Sequence, residues 1–132
     1  MNIQELVMHP AQLVRVETIR FNAEKKSAEV DRKFDVEAST KGEIVDDVYG
    51  KSHIIIKVSN DDFYFEEEKI GIFQFDEKIP DQKSAIQFME VQGVRILWSY
   101  IREDLYSITA KMMEQPIMLP TIDVMRTIEK AQ

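Results

Sequence analysis

No cysteine occurs in the chain, so thiolate nucleophiles, thiolate metal sites and disulfides are excluded, a usage that fits a reducing compartment. Histidine is nearly as scarce. His9 and His53 are the two, and neither has a His, Asp or Glu at metal-ligand spacing within its own element, so both read as surface histidines. Cationic residues are in deficit, 17 Lys and Arg against 24 Asp and Glu for a formal charge of −7. That balance argues against a nucleic-acid backbone or an anionic membrane as the main partner. No apolar run approaches the ~20 residues of a membrane helix. The start, Met1-Asn2-Ile3-Gln4-Glu5-Leu6, lacks the basic flank and apolar stretch of a signal peptide. A soluble, cytoplasmic protein is the expectation.

What is present is enough apolar material for a core: 132 residues, 44% of them hydrophobic, the size of one domain. The whole chain, 1–132, reads as a single domain with residues 1–12 a loosely packed N-terminus. Its first two thirds carry strand patterning. In Lys33-Phe34-Asp35-Val36-Glu37-Ala38, Phe34, Val36 and Ala38 share one face and Asp35 and Glu37 the other. An earlier strand runs from Val14 to Phe21, where a bulge near Glu17 or Thr18 brings Val14 and Val16 into register with Ile19 and Phe21. Ser52 to Ser59 is a third strand with Ile54, Ile56 and Val58 inward. Asn60-Asp61-Asp62 supplies a hairpin turn, and the return strand runs from Phe63 to about Phe75. Segments 22–29 and 39–47 read as polar connections. Strands joined by short links predict a four-stranded antiparallel meander with one wet face.

After Pro80 the period becomes helical. Val94, Leu97, Trp98, Ile101, Leu105, Ile108 and Met112 form one stripe, and Gly93 marks its start or a break from a shorter piece at 81–91. Pro116 and Pro120 end the helix, and Thr121 is placed to cap a last one carrying Ile122, Met125 and Ile128. The class is α+β, with a long helix and a short C-terminal helix on one face of the sheet.

Local catalytic signatures are missing. Gly50-Lys51-Ser52 fails as a phosphate loop because Val45 stands where the leading glycine belongs; the glycine reads instead as strain relief or a bulge. In Glu66-Glu67-Glu68 the side chains alternate faces, so the three carboxylates cannot converge, and Glu67 falls on the apolar side with no evident partner. The chain is expected to be no enzyme and to need no cofactor and no metal. Met112, Met113, Met118 and Met125 form an adaptable cluster, which is core filling more often than a promiscuous binding surface.

Gly71-Ile72-Phe73 ending the fourth strand, Ile96-Leu97-Trp98-Ser99-Tyr100-Ile101-Arg102-Glu103 in the long helix, and Leu119-Pro120 ahead of the last helix resemble the SecB export chaperones. There the matching stretches read Gly-Ile-Phe, Ile-Leu-Phe-Pro-Tyr-Ala-Arg-Glu, and a leucine and proline. The order and spacing of these blocks agree over about residues 13–128. The resemblance implies a holdase that binds unfolded or non-native polypeptides, and a homotetramer built as a dimer of dimers with the long helices between two sheets. It places Trp98, Ile101 and Leu105 partly at that interface; the alternative is that the stripe packs on its own sheet. It assigns Phe34, Val36, Phe65, Ile72 and Phe73 to client grooves, with Leu119, Met125 and Ile128 in a looser register because the chain is one residue shorter around Pro120.

Departures from the family bear on export. SecB docks on the ATPase SecA through outer-face carboxylates; the position matching Glu66 is retained, but Thr18 and Asn22 replace two others, and no extended tail follows the last helix. Weak or absent SecA coupling is expected. The alternative to a general export holdase is a solitary SecB-like protein dedicated to one partner, such as a chaperone beside a toxin–antitoxin pair. A third reading is an enzyme on this scaffold.

Overall fold

A computed structural model describes residues 2–131. The alternating segments become four antiparallel strands of one sheet: β1 (Ala11–Lys25), β2 (Asp35–Ile44), β3 (Tyr49–Ser59) and β4 (Phe63–Phe75). The meander does not form. Across the sheet the order is β1-β4-β3-β2, so β1 pairs with β4 and the chain then crosses to the far edge to begin β2, in the manner of a Greek key. Residues 26–34 make this crossing possible, since nine extended residues reach about 30 Å against ~15 Å for three strand spacings. The β3–β4 turn holds the crossing in place. Asn60 Nδ2 donates to the carbonyls of Asp31 and Lys33 at 2.8 and 3.0 Å, and the Asp62 carboxylate accepts from the Asp31 amide at 3.0 Å.

The expected bulge in β1 lies one residue further along, where the register slips between Thr18 and Arg20, and a second slip surrounds Val14. Residues 22–25 are the end of β1 rather than a connection, and segment 39–44 is the second half of β2. Its side chains are polar because β2 is an edge strand paired only to β3, so backbone bonding rather than burial makes it a strand.

The helical stretch is unbroken from Gln82 to Met112: α1 (Gln82–Phe88), a π-helical turn (Met89–Gly93) and α2 (Val94–Met112). Small residues let it approach the sheet. A Cβ at Gly93 would collide with Ser52 Oγ, and one at Gly42 would stand 2.7 Å from Met89 Cβ. The Ser52 hydroxyl donates to the Met89 carbonyl at 2.8 Å, fixing the π-helical turn on β3. Gly50 marks no bulge, as the β2–β3 register runs without a slip; it makes room for the Met89 side chain.

Ile54, Ile56 and Val58 of β3 and Phe63, Phe65 and Phe73 of β4 are buried beneath Val94, Leu97, Trp98, Ile101 and Leu105 of α2. The segment after α2 folds back over this core. Trp98 Nε1 donates to the Pro120 carbonyl at 3.0 Å, and the buried Thr109 hydroxyl accepts from the Ile117 amide at 2.8 Å. The last helix, α3 (Val124–Ala131), is capped by Asp123, whose Oδ1 accepts from the Arg126 amide at 3.1 Å. Thr121 lies too far ahead of the first turn to do so. No helix among the described residues is long and apolar enough to cross a membrane.

Candidate peptide-binding groove

The Asp123 cap sets the direction of α3 so that Val124 is buried in the core while Met125 and Ile128 face α1. Between the two helices opens a groove of about 640 Å³, with Ile86, Val91, Met125 and Ile128 as its apolar surfaces and Lys83, Glu90 and Glu129 among its polar ones. Met125 is 46% exposed. Such a trough suits apolar side chains presented by an extended or helical segment, and a methionine wall adapts to their shape.

The eight residues assigned to client grooves separate into four groups. Met125 and Ile128 line this groove. Phe34 and Val36 lie at the start of the edge strand and just before it; Phe34 packs edge-on against Phe63 at 6.0 Å, and Val36 is 44% exposed. Ile72 is half-buried on the outer sheet face. Phe65, Phe73 and Leu119 are within the core, because odd-numbered β4 residues point at the helix. Trp98, Ile101 and Leu105 are likewise buried against the chain's own sheet, so the stripe is intramolecular. Tyr100 and Tyr106 are the large hydrophobic side chains that α2 leaves exposed.

The outer face of the sheet carries a network of ion pairs, although Glu24, Asp35 and Glu37 on it have no ion pair among the described residues. Glu66 accepts from Arg20 at 2.7 Å and from the Tyr64 hydroxyl at 2.6 Å, and Lys57 lies 3.7 Å away. These bonds, the Tyr64 hydroxyl first, hold the Glu66 carboxyl below its usual pKa. His53 pairs with Glu68 at 2.6 Å, Lys51 with Glu43 at 2.9 Å, and Arg15 with Glu17 at 2.6 Å. Asn22 sits opposite Glu66 on this face. Thr18 does not share it: paired with Lys69, it points under the helix, where its hydroxyl accepts from Lys69 Nζ at 2.6 Å.

There the partner of Glu67 appears. Lys69 Nζ stands 2.9 Å from Glu67 Oε2 and 2.9 Å from Asp104 Oδ2 of α2, tying the sheet to the helix through the core. Burial, then the neighbouring Asp104 carboxylate, raises the Glu67 pKa from 4.5 to about 7 against the pull of Lys69. Burial opposes the Lys69 ammonium, but its bonds to Glu67 and Asp104 outweigh that and keep its pKa above the ordinary value. The signal was available in the sequence: Glu67 and Lys69 are two apart on one strand and therefore share a face.

No family model and no curated protein matches the sequence. Among solved structures, the Mycobacterium tuberculosis SecB-like chaperone Rv1957, in complex with a ChAD peptide from the Rv1956 HigA1 antitoxin, superposes with a TM-score of 0.66 at 18% identity, over 86% of this chain and 88% of that one. The fold is SecB-like. At that identity the likeness concerns the backbone, and it accounts for the Greek-key sheet, the long helix over it and the short last helix together. The α1–α3 groove and the Phe34 and Val36 patch are among the apolar surfaces left exposed, while Phe63, Phe65 and Phe73 are buried.

Proposed function

We propose that this is a non-enzymatic, cytoplasmic SecB-like binding protein that grips an exposed apolar segment of one dedicated partner, such as an antitoxin, and does not couple to SecA. The observation that carries this reading is the α1–α3 groove on a fold whose solved neighbour holds an antitoxin peptide. The outer face supports it from the other side: its carboxylates at Glu17, Glu43, Glu66 and Glu68 are each within ion-pair distance of a basic side chain. Pairing at these positions weakens the local field that an acid-seeking partner would meet there. Binding buries apolar side chains in the groove, with Phe34, Val36 and Ile72 as secondary contacts, and release needs no nucleotide.

A general holdase is the second reading, favoured by Met118 and Met125, which are 59% and 46% exposed and suit varied clients. Aggregation assays separate the two. Purified protein is expected to leave several unrelated denatured proteins aggregating while keeping the products of adjacent genes in solution; suppression across the whole panel would select the general holdase.

A further inference from the structure

A second set of uncovered apolar side chains lies ahead of β1. Ile3, Leu6, Val7 and Met8 are 66, 75, 94 and 70% exposed, and residues 2–9 form neither helix nor strand. In the described conformation this arm stands clear of the core, yet its base is fastened. His9 Nδ1 accepts from the Ala11 amide at 2.9 Å, the His9 carbonyl accepts from Gln12 Nε2 at 2.8 Å, and the imidazole stacks on Phe88 with centroids 4.9 Å apart. Phe88 belongs to α1 and is adjacent in sequence to Gln87, which lines the groove. The arm is therefore rooted on the helix that forms one wall of the groove.

Reach and composition fit. From His9 to Ile3 an extended chain covers ~20 Å at ~3.3 Å per residue, against roughly 16–19 Å for half the circumference of an α-helix ~10–12 Å across, enough for Ile3 to pass round α1. Glu5 is the arm's single ionisable side chain, so seating its apolar residues strips water from little charge. A tether this short presents the segment at an effective concentration in the millimolar range.

We propose that residues 2–8 fold back over α1 of the same chain and bring Ile3 into the α1–α3 groove as a tethered pseudo-client that a partner segment must displace. The inference rests on the groove being the binding site proposed above. Such an occupant shields the groove when no partner is present and makes binding an exchange, so only segments that outcompete the arm are retained.

The cysteine-free sequence allows a direct test. In the full chain, Ile3→Cys combined with Glu129→Cys is expected to form an intrachain disulfide on mild oxidation, whereas Ile3→Cys with Lys57→Cys, on the outer sheet face, is not. A disulfide between two chains, or equal yields for the two pairs, overturns the proposal. The dye 1-anilinonaphthalene-8-sulfonate then reads groove exposure independently of any partner. Removing residues 2–8 is expected to raise its fluorescence severalfold, and Met125→Asp in the shortened chain to abolish that rise. Unchanged fluorescence on truncation, with Met125→Asp still lowering the signal, overturns the arm but leaves the groove open and intact. Fluorescence indifferent to both changes removes the groove reading as well.

Discussion

Glu67 is a carboxyl group in a hydrophobic core, fully buried, with Oε1 lacking any hydrogen-bond donor. Its pKa of about 7 when folded, against 4.5 ordinarily, means that the folded state binds its proton more tightly than the unfolded chain does. The associated stability is complete below pH 4.5, declines as the unfolded carboxyl ionises, and is gone once the pH has passed about 7. Thermal melts of the wild type are therefore expected to show a lower Tm at pH 8 than at pH 5, with a free-energy difference of roughly 2–3 kcal/mol. Glu67→Gln keeps the shape and a polar contact to Lys69 without the charge, so its melting temperature should lose this component of the pH slope. An identical slope in both proteins would assign the dependence elsewhere. Trp98 is buried over the core with its ring nitrogen bonded to Pro120, and Trp98→Ala should cost about 3–5 kcal/mol in a denaturant melt. A cost near zero would mean that the return segment does not close over the helix.

At the scale of elements, β4 and α3 divide the apolar residues between scaffold and surface. Odd-numbered β4 positions point into the core, so Phe73→Asp places a charge among buried aromatics and is expected to unfold the protein. Met125 sits on the shoulder of α3, so Met125→Asp should leave the denaturant midpoint nearly unchanged while weakening peptide binding at least tenfold in a calorimetric titration. Apolar burial in the groove should also give that titration a negative heat-capacity change. Unaltered binding by the variant would move the site away from α3, toward Phe34 and Val36 on the edge strand. Period and turn chemistry made these elements legible: the Ile54, Ile56 and Val58 face, the Asn60 turn and the Val94-to-Met112 stripe all emerge as the sequence predicts. The polar half of β2 was illegible, since an edge strand held by backbone bonds leaves no hydrophobic alternation to detect.

For the whole molecule, the ion-paired outer face predicts that a titration with SecA yields no submicromolar, salt-sensitive complex; finding one would restore the export reading. The tetramer implied by the family resemblance needs a surface other than Trp98, Ile101 and Leu105, which the chain's own sheet consumes, and the exposed Tyr100 and Tyr106 on α2 supply one. Light scattering is expected to return a tetramer, and Tyr100→Asp with Tyr106→Asp a smaller species. A wild-type monomer at micromolar concentration would remove this expectation.

Sequence alone determined the kinds of element, the bounds of β4 and of the long helical stretch, and the SecB-like resemblance, because periodicity, turn residues and block spacing are local properties of a chain. Strand order was beyond it: the connection at 26–34 is long enough either to turn back or to cross, and the choice falls to Asn60 and Asp62, which meet it only in space. The Asp104 partner of Lys69 on α2, the inward turn of Thr18 and the burial of Phe65, Phe73 and Leu119 were likewise decided by tertiary structure. An alternating pattern separates the two faces of a strand but cannot say which positions a distant helix will cover, and that coverage distinguishes a core residue from a binding one.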